Sequence, residues 1–174
     1  MEKISVKVAG NKKDIQSARE IIDRELFQPA GHSLKESNDI AEKALYVVAK
    51  KDNKVIGAGR LSLSPTIEWS NSFWKALDQS LSFDNYKPEE FKDKVAVMYG
   101  LVLDGNYRGQ GIGSKLYDLR ESIAQKNMKH IIVSRIRPDS WNIYSNRSYI
   151  LFGSEEIKLT NNEVVVRKWV YKII

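Results

Sequence analysis

The stretch from residue 95 to residue 126 constrains the fold more than any other part of the chain. Residues 95–103 form a long apolar run with β-branched residues, which predicts a strand buried on both faces in mid-sheet. Turn residues follow at Asp104-Gly105-Asn106. Apolar side chains then recur at spacings of four, three and four, at Ile112, Leu116, Leu119 and Ile123. The pattern predicts a strand, a tight turn and an amphipathic helix.

Three alternating glycines lie in this turn, within Arg108-Gly109-Gln110-Gly111-Ile112-Gly113. They remove every second side chain, so backbone N–H groups can approach a bulky ligand closely. Unpaired N–H groups and the helix dipole at a helix N-terminus both favour an anion. We therefore predict a phosphate or pyrophosphate site. The alternative is a turn that only packs the helix closely on the sheet.

Two common phosphate motifs do not fit the turn. A dinucleotide fingerprint requires G-x-G-x-x-G, and Ser114 stands where its third glycine would be. A P-loop requires Gly-Lys-Ser/Thr, whereas the order here is Gly113-Ser114-Lys115. The turn instead resembles motif A of the GNAT acyltransferase superfamily, Arg/Gln-x-x-Gly-x-Gly/Ala, with Arg108, Gly111 and Gly113 at its fixed positions.

A second stretch, residues 143–149, is similar to another signature of this superfamily, leucine/phenylalanine-tyrosine-x-x-x-glycine-phenylalanine. Tyr144 takes the tyrosine position, while Ser148 replaces the usual glycine and Tyr149 the usual phenylalanine. Many members carry asparagine seven residues before the tyrosine, where this chain has Arg137, and a small residue where it has Trp141. These departures concern pantetheine packing and substrate access, and they leave the cofactor turn unchanged.

The remaining patterns follow the superfamily's order of elements. They predict a strand at 4–8, a helix capped by Asn11 and ending near Phe27, a hairpin of 44–50 and 54–63, a strand at 129–134, a short helix capped by Asp139 or Ser140 and ending at Arg147, and strands at 149–157 and 164–173. The resemblance implies an α/β (α+β) fold of one N-acetyltransferase domain over 1–174. Its mixed central sheet has about seven strands flanked by helices.

Residues 64–94 form an unusually long, aromatic-rich insertion. Phe73, Leu77 and Leu81 have helical spacing, and Pro88 suits the first turn of another helix. The insertion contains six rings: Trp69, Phe73, Trp74, Phe83, Tyr86 and Phe91. We expect a helical insertion that covers an acceptor pocket, forms the face of a homodimer, or only packs its rings on the sheet.

The resemblance implies acetyl-CoA as co-substrate and assigns its contacts. The residues implied to bind it are Leu101, Val102, Leu103, Arg108, Gly109, Gln110, Gly111, Ile112, Gly113, Ser114 and Tyr144. By the same resemblance the Leu101 N–H stabilises the oxyanion, Leu103 bonds the pantetheine, and the Tyr144 hydroxyl protonates the departing thiolate. The alternative for Tyr144 is a ring that packs the cofactor without a proton role.

The acceptor and the general base are less defined. In the superfamily the region after the first helix lines the acceptor pocket, so Glu25, His32 and Glu36, with Glu68, are candidate substrate contacts; a solvated loop is the alternative for each. Residues 95–103 contain no acid, so Glu25, Glu36, Glu68 or Asp139 would act as base. Deprotonation through water, or positioning without a base, is equally consistent.

Composition excludes several other classes of function. The chain has no cysteine and two histidines, which excludes a thiolate nucleophile and predicts no metal site. No apolar run approaches the ~20 residues of a membrane helix, and no signal-like block begins the chain, so cytoplasm is expected. The net charge of +6 is spread along the chain, which suits a polyanionic cofactor and does not favour nucleic acid.

These patterns together predict an N-acetyltransferase, of class EC 2.3.1.-, that moves acetyl to a primary amine by direct attack in a ternary complex. The acceptor is a small molecule or a protein. Two alternatives stay open. One is a longer-chain N-acyltransferase that uses acyl-CoA or acyl carrier protein, and the other is a non-catalytic acetyl-CoA sensor.

Overall fold

A computed structural model describes residues 3–30, 44–63, 75–77, 79–80, 92–158 and 162–174. The strands are β1 (Ile4–Val8), β2 (Leu45–Lys51), β3 (Lys54–Ser62), β4 (Val95–Leu103), β5 (Ile131–Ile136), β6 (Ile150–Lys158) and β7 (Val164–Ile173). The α-helices are α1 (Lys12–Ile22), α2 (Ile112–Lys126) and α3 (Trp141–Ser145). Seven strands form one sheet in the order β1-β2-β3-β4-β5-β7-β6, which confirms the predicted mixed sheet with flanking helices. None of the helices in the described ranges is long and apolar enough to cross a bilayer.

The described chain divides into two compact units, Met1–Ser62 with Met98–Ile123 and Leu63–Val97 with Ala124–Ile174. In the first unit, β1, β2 and β3 pair in antiparallel fashion. One cluster of buried side chains joins α1 to this sheet through Ala18, Ile22 and Val48, and a second contains Leu116 of α2 with Val47. The apolar stripe predicted for α2 is therefore the face that this helix buries, and α1 likewise packs on the sheet through apolar side chains.

Helix α1 begins as predicted and ends in an unpredicted form. The Asn11 side chain accepts a hydrogen bond from the Asp14 N–H at 2.8 Å, which is an N-cap. After Ile22 the backbone continues as a π-helix, Asp23–Phe27, in which no residue is fully buried. π-Helical turns are rare and frequently lie at functional sites.

Two glycines in β3 explain how α2 approaches the sheet. A Cβ at Gly57 would lie 2.7 Å from Leu103 Cδ1, and one at Gly59 would lie 3.2 Å from the Arg120 Cζ. The pairing of β2 with β3 also shifts register after Ala49. Glycine inside a strand often marks close packing or a bulge, and both occur here.

In the second unit, β7 pairs with β5 and with β6, in both cases antiparallel. The register of β6 shifts between Leu151 and Gly153, where the Trp169 ring packs so closely that a Cβ on Gly153 would lie 2.6 Å from it. After α3, Ser148 adopts a left-handed backbone with φ 63. The Ser148 and Tyr149 N–H groups donate to the Ser145 and Tyr144 carbonyls at 3.0 and 3.1 Å. These bonds form a Schellman motif, whose left-handed position normally favours glycine.

Several predicted boundaries were wrong by one or two residues. The strand predicted at 129–134 is Ile131–Ile136, and the short helix is Trp141–Ser145 after a 3₁₀ turn at Pro138–Ser140. Ser140 occupies the N-cap position without a side-chain hydrogen bond, because the preceding 3₁₀ turn holds its backbone in helical conformation. Most of the 64–94 insertion lies outside the described residues, apart from helical backbone at 75–77 and 79–80 and a 3₁₀ turn at Lys92–Lys94.

Candidate active site

The implied cofactor site begins at the end of β4. Leu101 and Leu103 contribute half-buried side chains to the cluster that faces α2, while Val102 is buried in the cluster that faces α1. This alternation follows from the two-residue period of a strand. The Asp104 N–H donates to the Ile56 carbonyl at 2.9 Å, which ties the end of β4 to β3 just before the turn.

The turn itself is stabilised locally and is open to solvent. The Asp104 side chain accepts a hydrogen bond from the Asn106 N–H at 3.0 Å, and residues 105–107 form a 3₁₀ turn. Gly109 and Gly111 then adopt φ of +76° and +73°, a left-handed backbone that L side chains rarely take. A Cβ at Gly109, Gly111 or Gly113 would meet nothing within 4 Å. Close packing of the helix on the sheet therefore does not explain these glycines.

The backbone N–H groups of the turn are available to a ligand. Lys115 donates its N–H to the Gly111 carbonyl at 3.2 Å and so begins the hydrogen bonding of α2. Among the described residues, the five N–H groups of residues 109–113 have no acceptor. Such a row at a helix N-terminus is a general anion-binding arrangement.

Basic side chains lie near the turn, beside the carboxylates of Asp52 and Asp104. Arg108 is exposed, and its Nε donates to the Leu103 carbonyl at 3.2 Å, which holds the guanidinium against the end of β4. An open cavity nearby is lined in part by Lys51, Lys54 and Tyr107, with the Lys51 ammonium 5.6 Å from the Tyr107 ring centroid. The region suits a ligand that carries several negative charges.

One predicted substrate contact lies beside the cofactor turn. Glu25, in the π-helix, places Oε2 3.8 Å from the Arg108 Nη2 and Oε1 3.0 Å from the Arg24 Nε. Both of its oxygens therefore already face guanidinium groups, which makes Glu25 a poor candidate for the general base. His32, Glu36 and Glu68 lie outside the described residues.

Tyr144 belongs to the second unit and is held there from two sides. Its hydroxyl oxygen lies 3.3 Å from the Ser134 Oγ, and its ring meets the Tyr149 ring edge-on with centroids 5.0 Å apart. The Tyr144 side chain is 8% exposed. Asp139, the other acid considered as a base, is exposed in the 3₁₀ turn before α3.

Three buried charged side chains escaped the sequence interpretation. Arg120 lies on the buried face of α2, is fully buried, and donates to the Arg60 and Tyr99 carbonyls at 3.3 and 3.2 Å. Arg60 is buried on the opposite face of β3, and Asp14, in the first turn of α1, forms a 2.7 Å ion pair with Lys50. Arg120 continues the apolar stripe one turn after Leu116, which was the only local signal for its burial.

Metal ligation finds no support in the described part of the chain. It contains no group of three or more histidine, aspartate or glutamate side chains that could hold an ion. Because the chain has no cysteine, thiolate ligands are excluded as well.

Comparisons with known proteins were made by sequence and by structure. The model of the Acetyltransferase (GNAT) family matches residues 14–149. No curated protein matches the chain by sequence. Three solved structures align over most of the chain: FeeM, an N-acyl amino acid synthase from uncultured soil microbes (13% identity, 98% of this chain and 92% of that chain, TM-score 0.71); an acetyltransferase from Streptococcus agalactiae (16%, 100% and 100%, 0.67); and a ribosomal-protein-alanine N-acetyltransferase from Brucella melitensis (14%, 98% and 99%, 0.63). At these identities the structural likeness shows the fold alone.

Proposed function

The chain belongs to the GNAT acetyltransferase family and is an acyltransferase; on that premise we propose that it moves an acetyl group from acetyl-CoA to a primary amine in a ternary complex. The observation that carries the proposal is the row of five unpaired N–H groups at 109–113, which the open turn presents at the start of α2. A diphosphate with two charged groups in succession suits such a row. The proposal treats residues 1–174 as one catalytic domain in the cytoplasm.

The proposed contacts follow the resemblance. When bound, acetyl-CoA supplies a thioester carbonyl that a neutral amine attacks. We assign the diphosphate to residues 108–114 and the pantetheine to 101–103. The Leu101 N–H donates to the carbonyl oxygen as negative charge develops on it, and a preformed donor of this kind stabilises the transition state.

The proton balance requires one donor and one acceptor. The new N–C bond forms as the C–S bond breaks, the nitrogen loses a proton, and the leaving sulfur gains one. We assign the gained proton to the Tyr144 hydroxyl, because a tyrosine O–H can act as general acid to the departing thiolate. Glu25 already faces two guanidinium groups, so we assign the proton lost by nitrogen to water.

Two measurements test the proposal. Isothermal titration of the whole protein should detect CoA and acetyl-CoA, whereas ADP, which has the diphosphate without pantetheine, should bind more weakly. A thiol-release screen of amines with acetyl-CoA should then find an acceptor. Absence of any CoA binding by well-folded protein would overturn the proposal.

The same screen separates the alternatives. Faster release from octanoyl-CoA than from acetyl-CoA would identify a longer-chain acyltransferase. Binding of acetyl-CoA without transfer to any amine would instead favour a sensor. A homodimer, the remaining expectation about partners, is tested by sedimentation of the protein with and without acetyl-CoA.

A further inference from the structure

Arg60 of β3 is a buried cation whose hydrogen-bonding groups are incompletely used. Its side chain is 4% exposed, and its Nε and Nη1 have no acceptor among the residues that the structure describes. Tyr46 lies directly opposite Arg60 in the β2–β3 register, so both side chains occupy the same face of the sheet. The Tyr46 hydroxyl is also buried. It lies close enough to Arg60 for a side-chain hydrogen bond to raise the pKa of the guanidinium, but within the same described ranges it has no partner in full hydrogen-bond geometry.

Aromatic rings lie against Arg60 and leave its edge without partners. The guanidinium carbon lies 5.4 Å from the Phe27 ring centroid and 5.4 Å from that of Tyr99. Cation–π contact stabilises the charge through the ring faces, but it provides no acceptor for the N–H groups. A guanidinium directs those groups outward in its own plane, where a carboxylate can accept two of them at once.

The packing around Arg60 is therefore costly without a ligand. Burial of an unpaired charge is unfavourable because the lost hydration is not replaced. Loss of hydration also lowers the pKa of the Arg60 guanidinium, while the Tyr46 and Tyr99 side chains act in the opposite direction. An apolar residue of similar volume would pack here without that cost, so the charge requires another explanation.

Arg60 also lies close to the proposed reacting centre. A Cβ on Gly100 would be 3.8 Å from the Arg60 Nη2, and Gly100 is followed directly by Leu101, whose N–H we assign to the oxyanion. One to two residues along a strand span roughly 3–7 Å. That distance matches the separation between the carboxylate and the amine of a small amino acid. Phe27 and Leu26, which cover this area, belong to the π-helix that has no fully buried side chain.

We propose that Arg60 and the Tyr46 hydroxyl bind the carboxylate of the acceptor, so that the acceptor is a small molecule with a carboxylate near its amine. This inference rests on the proposed N-acetyltransferase function and narrows its acceptor to amino acids of this kind. The carboxylate supplies the missing partner of the guanidinium, and the amine then points along β4 toward Leu101.

The test compares matched pairs of acceptors. Free L-amino acids and short ω-amino acids are assayed by thiol release with acetyl-CoA, each beside its own carboxamide. We expect at least one acid to react with a kcat/KM about 10- to 100-fold above that of its amide, since a charge-assisted hydrogen bond is lost in the amide. The difference should lie mainly in the KM for the acceptor.

Variants of Arg60 test whether this side chain causes the preference for the acid over its amide. Arg60→Met should abolish the difference between acid and amide, and Arg60→Lys should restore part of it. Lys13→Met, which removes one charge from an exposed site on α1, should behave like wild type. If Arg60→Met does not fold, the test uses the ratio of kcat/KM for the acid to that for its amide. A ratio that is lower in Arg60→Lys than in wild type supports the carboxylate site, and an unchanged ratio overturns it.

A binding arm makes the two proposals separable. N-acetyl amino acids and their amides are titrated into the CoA complex and followed by NMR, which requires no turnover. One outcome is that the acids bind more tightly than their amides, that Arg60→Met abolishes this preference, and that no amine is acetylated. This outcome would support the carboxylate site at Arg60 and overturn the proposed transfer reaction. If acids and amides are acetylated at equal rates, or if Arg60→Met lowers both rates equally, the carboxylate site at Arg60 is overturned and the transfer reaction is still supported.

Discussion

At the scale of single residues, the hydroxyl of Tyr144 decides between proton donation and simple packing. Tyr144→Phe keeps the ring that meets Tyr149 and removes the hydroxyl near Ser134. We expect kcat to fall about 100-fold or more if the hydroxyl is the acid, with an unchanged affinity for acetyl-CoA. The measurements are steady-state kinetics and calorimetry.

The matched control for Tyr144→Phe is Tyr171→Phe. Tyr171 is also buried in the second unit, and its hydroxyl contacts Ser80 at 3.4 Å. Each variant loses one hydrogen bond, so both should lose about 1 kcal/mol of unfolding free energy, but only Tyr144→Phe should lose turnover. Full activity in Tyr144→Phe would assign the ring to packing.

Ser148 holds a backbone conformation that suits glycine better. Its φ of 63 completes the Schellman motif after α3, and the left-handed region costs an L residue roughly 1–2 kcal/mol. Ser148→Gly should therefore raise the unfolding free energy. The gain should be limited to about 1 kcal/mol, because glycine also gives the unfolded chain more conformational entropy. Urea denaturation measures the change.

Two further substitutions serve as a parallel case and a control for Ser148→Gly. Met128, exposed at φ 56 after α2, is the left-handed residue of the same motif: the Met128 and Lys129 N–H groups donate to the Gln125 and Ala124 carbonyls at 2.9 and 3.0 Å. Met128→Gly should therefore also stabilise. Ser145 has helical backbone, and Ser145→Gly should destabilise by about 0.5–1 kcal/mol. A loss of stability in both Ser148→Gly and Met128→Gly would contradict this account.

At the scale of elements, the cofactor turn depends on left-handed glycine. Gly111→Val places a β-branched residue at φ +73, so the turn must change conformation and its N–H groups will no longer converge. We expect the Kd for acetyl-CoA to rise about 10-fold or more in calorimetry. Gly113→Ala, where the added Cβ meets nothing within 4 Å, should bind like wild type. Equal affinities in the two variants would remove the turn from the cofactor site.

Elements with a strong local pattern were predictable from the sequence. The apolar run of β4 and the alternation of β7 gave the observed bounds, Val95–Leu103 and Val164–Ile173, because neighbouring residues in the chain determine such patterns. The glycine-rich turn was predictable for the same reason, whereas the positive φ of Gly109 and Gly111 was not predicted. The π-helix after α1 has no comparable signal, because its form depends on what it packs against.

Buried charges were not predictable, because their partners are distant in sequence. Asp14 has the local features of an N-terminal helix residue, and only the fold brings Lys50 to it from 36 positions away. Gly59 indicated a close approach in β3 without identifying Arg120 as the approaching group. Arg60, in a strand of alternating environment, gave no sign that it faces α1 rather than solvent.

At the scale of the whole molecule, stability should depend on the charge of Asp14 in acid. Its carboxylate is 4% exposed and contacts Lys50 at 2.7 Å and Lys7 at 3.8 Å. The hydrogen bond from Lys50 lowers the pKa of Asp14, against the opposing effect of burial, and the Lys50 and Lys7 charges add to the lowering. The folded protein therefore holds this proton less tightly than the unfolded chain does.

The sign of the pH dependence follows from that lowered pKa. The stabilisation is fully present above the unfolded value, about 3.9, and is lost as pH falls through the lower folded value. Asp14→Asn should be less stable than wild type at pH 7, and the difference should shrink below about pH 4 as wild type loses the same charge. Asp52→Asn, at an exposed turn residue, serves as the control for removal of a carboxylate in the same urea unfolding measurements. Parallel curves for wild type and Asp14→Asn would show that the ion pair between α1 and β2 does not contribute to acid sensitivity.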